Sequence, residues 1–252
     1  MARAVLVRHG ESQANADGLF TGVLDVPLSH GGVQEAHYAA ALLSGMEFAA
    51  TFTSELERAW RTADVIAADL PCLPPFVRDW RLDERNYGGL TTRTKSAVLA
   101  EVGEAQFLAW RRSVNVPPPP MGDELYEYLA ATPLFRRLPP AALVRTESLA
   151  DVMARVESFW REAVEPVLRT GGDVLLVAHG NSLRALCGVV GELRDEEIQD
   201  LGLPTGHPLV YEFAGTSSHQ TGLLVPTERL GRYLDEPEAL AAAEKLRREG
   251  GT

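Results

Sequence analysis

Lysine is nearly missing from this 252-residue chain: of 24 basic residues only Lys95 and Lys245 are lysine, and the rest are arginine. Cysteine is equally scarce. Cys72 and Cys187 stand in unrelated contexts, which excludes a disulfide framework or a cysteine-rich zinc site and points to a reducing compartment. No apolar stretch approaches the ~20 residues that a membrane span needs. The opening MARAVLVRHG has too short an apolar run for a secretory signal, so a cytoplasmic protein without a membrane partner is expected. No basic run interrupts the net charge of −11, which argues against nucleic acid as a partner.

What is present is a chain with 45% hydrophobic residues, enough to bury a sizeable core. Codon bias explains the excess of arginine as readily as function does. It does not explain where Arg8, Arg58, Arg61, Arg85, Arg111 and Arg112 lie, beside the segments with the most chemistry. A planar guanidinium fork matches phosphate or carboxylate oxygens, so a local arginine cluster in an acidic protein suits a small anionic ligand.

Short apolar runs at 4–7, 48–52, 173–178 and 209–213 read as strands. Helices are expected from the Ser29 cap to Leu43, with Gly45 just beyond, and from a Ser54–Glu57 capping box to about Leu70. In the latter, Leu56, Trp60, Ala63 and Ala67 recur at helical spacing and should face the sheet. Further helices are expected at 182–190, from Ser148 with Asp151 to about Val164, and in a charged tail at 236–248. Alternating strands and helices predict a three-layer α/β/α sandwich around a mostly parallel sheet, as one catalytic domain over residues 1–252. Within it, residues 86–147 read as an excursion or lid and 215–252 as a C-terminal tail. The run Pro117–Pro120 is either part of that excursion or a polyproline docking ligand.

Two segments share one design. VLVRHGES (5–12) and DVLLVAHGNS (173–182) each run from an apolar strand into His-Gly, with a serine two residues after the glycine. Ligands of parallel α/β sheets gather at the carboxyl ends of strands, so His9 and His179 converge there if their strands are neighbours. The glycines should let backbone approach a ligand closely. A neutral imidazole attacks phosphorus competently, and a protonated second histidine would stabilise the transferring oxygens without a metal. One histidine after a strand is usually a hydrogen-bonded structural residue, but two such elbows, one beside Arg8, favour chemistry. Zinc is the competing use of paired histidines, and neither segment has its ligand spacing. Glu84, in RLDERNYGGL (81–90), is either the acid and base of phosphoryl transfer or a surface partner of a nearby arginine.

Taken in order, LVRHGES with Asn15, FTG (20–22), LS with Gly32 and Glu35-Ala36, TS (53–54), Arg58-Ala59, and Arg61-Thr62 form a connected set. Glu84-Arg85 with Tyr87-Gly88, WRR (110–112), TESL (146–149), AHGNSLRAL (178–186), PTGHPLVYE (204–212) and RYLDEPEAL (232–240) continue it. Over nearly its whole length the chain resembles the cofactor-dependent phosphoglycerate mutases of the histidine phosphatase superfamily. The resemblance implies that His9 is phosphorylated, that Arg8, Arg58 and His179 hold the phosphoryl group, and that Glu84 moves the proton. It implies a substrate pocket of Ser12, Asn15, Thr21, Gly22, Arg85, Tyr87, Lys95, Arg111, Arg112, Gly180 and Asn181. It further implies phosphoglycerates as small-molecule substrates, 2,3-bisphosphoglycerate as primer, no metal, and a homo-oligomer, dimer or tetramer. Such an enzyme serves glycolysis and gluconeogenesis.

Three departures mark this chain. Asn86 stands where the family carries histidine. LTTRTK (90–95) replaces a stretch with a Gln-Gly pair and an asparagine before the lysine. His207 takes a position usually aliphatic. They leave the phosphoryl chemistry whole and predict a retuned substrate pocket, with a broad phosphomonoesterase as the alternative activity. A regulatory module that has lost catalysis is a further, weaker alternative.

Overall fold

The structure is a computed structural model that describes residues 1–214 and 224–248. Of the expected tail, residues 215–223 and 249–252 lie outside those described. The strands are β1 (Ala2–Arg8), β2 (Ala50–Thr53), β3 (Phe76–Arg78), β4 (Val174–Ala178), β5 (Leu209–Phe213) and β6 (Arg232–Tyr233). The helices are α1 (Gln13–Ala16), α2 (His30–Leu42), α3 (Glu57–Asp69), α4 (Lys95–Arg112), α5 (Asp123–Ala130) and α6 (Pro133–Arg136), then α7 (Leu149–Phe159), α8 (Glu165–Arg169), α9 (Gly180–Val190), α10 (Asp195–Asp200) and α11 (Glu236–Arg248).

The six strands form one sheet in the order β3-β2-β4-β1-β5-β6. The first four run parallel, β5 runs antiparallel to β1, and β6 antiparallel to β5. The near-continuous apolar composition of β1 and β4 follows from cover on both faces. Ala4, Leu6, Val174, Leu176 and Ala178 pack on one side with α7 and α9. Val5, Val7, Leu175 and Val177 pack on the other with Ala39 and Ala40 of α2 and Ala63 and Ile66 of α3. The expected three layers are present.

Three local expectations are corrected. Leu56, not Ser54, is the N-cap of α3, and no side chain caps that helix. The buried face of α3 carries Arg58, Ala59, Thr62, Ala63 and Ile66, while Trp60 is half-buried under the Arg78 guanidinium, 4.4 Å from its ring. The face is turned because Arg58 and Thr62 point to the strand ends. Third, α9 begins at Gly180, two residues earlier than the Ser182 start, so its first free N–H groups lie beside His179. β3 and β6 are too short to register as apolar runs. The caps at Ser29 and at Ser148 with Asp151 form as expected, and the helical run from Ser148 continues past a π turn at Trp160–Val164 into α8.

Candidate active site

β1 and β4 are neighbours in register, Arg8 opposite Ala178, and the next residue of each chain is a histidine. The His9 N–H donates to the Ala178 carbonyl at 2.9 Å, so the ladder continues into the elbows. This brings the two imidazoles edge to face with centroids 4.8 Å apart. His9 Nδ1 lies 2.6 Å from the Gly10 carbonyl, an acceptor only, which places the ring proton on Nδ1 and leaves the Nε2 lone pair open. Burial, then the Arg58 and Arg8 guanidiniums, hold His9 well below the ordinary imidazole value. His179 is held down by burial, Arg58 and His9 in turn. Both shifts disfavour a second proton on either ring in the absence of an anion, against the expectation of a protonated His179.

Gly10 answers to the scaffold rather than to a ligand. A Cβ there would stand 2.0 Å from the Gly32 carbonyl oxygen of α2, so its missing side chain lets that helix reach the elbow. The Gly10 N–H donates to Thr62 Oγ1 at 3.1 Å, and Thr62 donates to the Arg58 carbonyl at 2.7 Å. The nucleophile loop and the Arg58 backbone thus share one tie.

Arg58 is fully buried and aimed by two carbonyls, Leu24 at 2.7 Å and Gly22 at 2.9 Å. Arg8 donates to the Leu203 carbonyl at 2.9 Å, and its own carbonyl accepts from Gly206 at 3.0 Å, so the PTG loop grips it. Burial lowers Arg58 to about 10, which leaves it charged at neutral pH. Arg58, a buried cation whose hydrogen-bond partners are neutral carbonyls, suits an anion beside it.

Glu84 is buried and held by backbone N–H groups, Arg85 at 2.7 Å and Asn181 at 3.2 Å, the latter in the first turn of α9. The alternative of a surface ion pair does not describe it. Asn181 also donates from Nδ2 to the Tyr87 hydroxyl at 3.0 Å and accepts from Arg184 at 2.7 Å. A small cavity of about 20 Å³ is walled by Arg8, His9, Asn15, Thr21, Gly22, Arg58, Glu84, Tyr87 and Lys95, with Leu19 and Phe20. It shares Arg8, Asn15 and Lys95 with an outer vestibule of about 500 Å³, whose far wall includes Ala242, Lys245 and Leu246 of α11. Both lysines of the chain face this vestibule. Burial, then Arg111 and Arg8, push the Lys95 ammonium down to about 8.

The remaining expected pocket residues lie outside those walls. The Ser12 hydroxyl caps α1, accepting from Asn15 N at 3.2 Å and donating to Asn15 Oδ1 at 2.9 Å. Arg85 is fully buried, donates to the Trp110 carbonyl, and stacks 4.5 Å over the Tyr87 ring. Gly180 and Asn181 act through the start of α9. Arg111 and Arg112 line a separate cavity of about 690 Å³ against α10 and α11. Arg111 Nε and Nη2 are nevertheless buried without a hydrogen-bond partner among the described residues, and its charge acts on Lys95.

The departures serve the scaffold. Asn86 is buried, donates to the Val144 carbonyl at 2.5 Å and accepts from Gly88 N at 2.8 Å. Thr94 caps α4 through Ala97 N at 3.2 Å. His207 Nδ1 lies 2.6 Å from Asp235 Oδ2, which also accepts from Tyr38 at 2.8 Å, clasping the start of α11. Of the departing residues, Thr94 and His207 border the vestibule and none walls the inner cavity. The proline run is tied to the rest of the chain, with only Pro118 buried: Pro119 accepts from Gly89 N at 2.7 Å and Pro118 from Thr146 Oγ1 at 2.8 Å.

Sequence reasoning missed Ser54, Thr62, Leu203 and Arg184, which hold site residues through backbone or second contacts. Ser54, Thr62 and Arg184 are polar side chains whose partners emerge only once burial is known, and Leu203 acts through its carbonyl, which has no sequence signature.

The sequence matches the family profile described as the histidine phosphatase superfamily, branch 1, over residues 4–132 and 123–221. It is 42% identical, over 99% of its own length and 100% of the relative's, to a protein of Thermobifida fusca named 2,3-bisphosphoglycerate-dependent phosphoglycerate mutase. A protein of the same name from Zymomonas mobilis is 46% identical over 84% of this chain and 93% of that relative. Among solved structures, a mycobacterial glucosyl-3-phosphoglycerate phosphatase complexed with VO3 aligns with TM-score 0.67 and 26% identity, covering 84% of this chain and 93% of that one.

Proposed function

This chain belongs to the histidine phosphatase superfamily, and from that premise we propose that it interconverts 3-phosphoglycerate and 2-phosphoglycerate through a phosphohistidine at His9. The observation that carries the reading is the pair of buried imidazoles 4.8 Å apart, between two buried arginines and beside a carboxylate. The identity of 41–46% to named mutases across most of the chain supports the substrate.

The Nε2 lone pair of His9 forms the N–P bond as the bond from phosphorus to the leaving oxygen breaks. Arg8 and Arg58 take up the charge on the transferring oxygens, and both are fixed before the reaction begins, so little reorganisation opposes it. In the reverse transfer, Glu84 accepts the proton of the attacking hydroxyl as the N–P bond breaks. Returning that proton to the other oxygen completes the exchange, with one carboxylate as base and then acid. The primer 2,3-bisphosphoglycerate supplies the phosphoryl group that loads His9. Arg8, Arg58 and Asn15 suit its phosphoryl end, and Lys95 suits a second anionic group. A phosphohistidine survives only where water is kept from it.

The likeness to a phosphatase structure at 26% identity favours a second reading, in which water takes the phosphoryl group. Phosphorus NMR of the protein with 3-phosphoglycerate, with and without trace 2,3-bisphosphoglycerate, separates the two. Primer-dependent 2-phosphoglycerate with little free phosphate is the expected result. Free phosphate alone establishes the second reading. The homo-oligomeric, cytoplasmic enzyme of this reading is checked by light scattering and cell fractionation.

A further inference from the structure

Ser54 lies on no route that the phosphoryl group or its proton takes, yet it is wholly buried with its Oγ 2.7 Å from His179 Nε2. A hydroxyl has one proton and two lone pairs. The Leu56 N–H donates to Oγ at 3.1 Å and takes one lone pair. No other hydrogen-bonding group meets Oγ among the described residues, so Nε2 is the acceptor on hand for the Ser54 proton. The opposite arrangement, Nε2–H donating to Oγ, strands a hydroxyl proton in a dry site, which is the costlier choice.

We propose that Ser54 is a positioning residue that sets the tautomer of His179: its hydroxyl donates to Nε2, so that the neutral ring carries its proton on Nδ1 and presents an N–H donor to the phosphoryl group at His9. His179 Nδ1 is buried without a hydrogen-bond partner among the described residues, and it is the nitrogen left over once Ser54 holds the other. Burial and Arg58 disfavour a second proton on the ring, and the placement of the one proton of a neutral imidazole decides whether the ring faces phosphoryl oxygens as donor or as acceptor. Acceptor geometry would set a lone pair against anionic oxygens. His9 carries the complementary tautomer, with its Nδ1 proton on the Gly10 carbonyl and its Nε2 lone pair free. One elbow is thereby a nucleophile and the other a donor, although their sequences are alike. The inference rests on the reading that His9 accepts a phosphoryl group, not on which ester supplies it.

The test uses ring nitrogen-15 NMR of the full-length protein, with the His179 signals assigned by their loss in His179→Gln. The expected result is an Nδ1–H tautomer in the parent and a mixed or Nε2–H population in Ser54→Ala. Rapid-quench labelling should show His9 phosphorylation slowed by about 10–100-fold in Ser54→Ala, with KM changed by about twofold or less. Ser54→Cys, which keeps a weak donor, should recover part of that rate. An Nε2–H tautomer in the parent overturns the proposal, as does a Ser54→Ala protein whose ring spectrum and labelling rate match the parent. Ser54→Ala that loses rate and thermal stability with unchanged ring signals also overturns it, since it leaves only a structural role. If 2-phosphoglycerate never forms but free phosphate does, the mutase reading fails, and the ring tautomer and labelling rate still report on Ser54.

Discussion

The two histidine elbows and the excursion between Asn86 and Glu147 are built on different principles. The elbows stand on β1 and β4, whose side chains are buried on both faces and whose register is fixed by five paired residues. Each fully buried Val or Leu there contributes about 1.5–3 kcal/mol relative to exposure, so the strand ends are held by bulk burial. The excursion has smaller apolar clusters, around Met121, Leu129 and Phe135 and around Phe20, Tyr87 and Phe107. Polar ties connect it: Asn86 N to Glu147 Oε2 at 2.8 Å, Arg145 Nη1 to the Met121 carbonyl at 3.0 Å, and Gly89 N to the Pro119 carbonyl. At Gly88, φ is +56° and a Cβ would stand 2.1 Å from the Pro119 oxygen, so glycine alone closes that turn. Atoms that break and form bonds are thus placed by the core. Those that choose the ligand and exclude water are placed by ties that each contribute about 0.5–1.5 kcal/mol.

The sharpest break in this comparison is at the core side. His9→Ala should abolish acid-labile phosphoryl labelling and lower turnover by about 10⁴-fold or more, as removal of a nucleophile does. Its thermal unfolding should stay close to the parent's, because the register of β1 and β4 does not depend on the ring. A labelled His9→Ala protein would place the phosphoryl group elsewhere and dissolve the contrast.

Lys95, the first residue of α4, tests the excursion's share. Lys95→Ala should lower kcat/KM for phosphoglycerate by about 10–100-fold, the loss of one charge-assisted contact of about 1.5–3 kcal/mol. The pH dependence has a definite sign. With the ammonium lowered to about 8, the cation is lost as pH rises through 8, so kcat/KM should fall on the alkaline side and KM should carry the change. Lys95→Arg should move that limb beyond pH 10. A parent profile flat from pH 7 to 9.5 would remove Lys95 from ligand binding.

Much of this contrast is visible in the sequence, and unevenly so. The apolar runs ending in His-Gly mark the elbows because burial on both faces leaves a continuous apolar signature. The excursion leaves no such trace: Asn86 and Arg85 act through carbonyls of residues 144 and 110, and backbone acceptors have no sequence signature. Ser54 was misread for the same reason. Its spacing to Glu57 fits a capping box, but a hydroxyl follows the better partner, and His179 comes from a strand more than a hundred residues away. Arg111 and Arg112 were readable as an anion-binding pair, yet α4 breaks at Gly103, with φ +75°, and the pair faces a cavity apart from the inner one.

Asp83 sits on the seam between the two regions. Burial raises its carboxyl to about 8, with Oδ1 accepting from Glu55 N at 2.8 Å and Oδ2 buried without a hydrogen-bond partner among the described residues. A raised folded value means that the folded state holds a proton the unfolded state releases between about pH 4 and 8. Stability from this group is present at low pH and is lost as pH rises through that window. Asp83→Asn keeps the Oδ1 acceptor and removes the titration. The variant should gain on the parent by up to about 5 kcal/mol between pH 4, where the two are nearly equal, and pH 9, read by urea unfolding at the two values. A difference independent of pH would mean the carboxyl stays ionised throughout.

The smallest effect is expected in the departing stretch itself. Thr92 is exposed and has φ +74°, a β-branched residue in the left-handed region. Such a conformation costs about 1–2 kcal/mol for a residue with a Cβ. Glycine removes that strain and adds about 0.5–1 kcal/mol of unfolded-state entropy, so the two terms oppose. The strain is the larger, because the Cβ is branched and the Thr92 N–H is fixed on the Phe20 carbonyl at 2.9 Å. Thr92→Gly should therefore stabilise the protein by about 0.5–1 kcal/mol, read as a higher urea midpoint at unchanged slope. Thr92→Ala, which keeps a Cβ and loses only the branch, should gain less. If alanine gains as much as glycine, the branch alone was the burden and the turn has no need of glycine. If neither gains, the polar ties of the excursion hold this turn more firmly than single contacts of their size can, and the contrast with the core is weaker than the hydrogen bonds suggest.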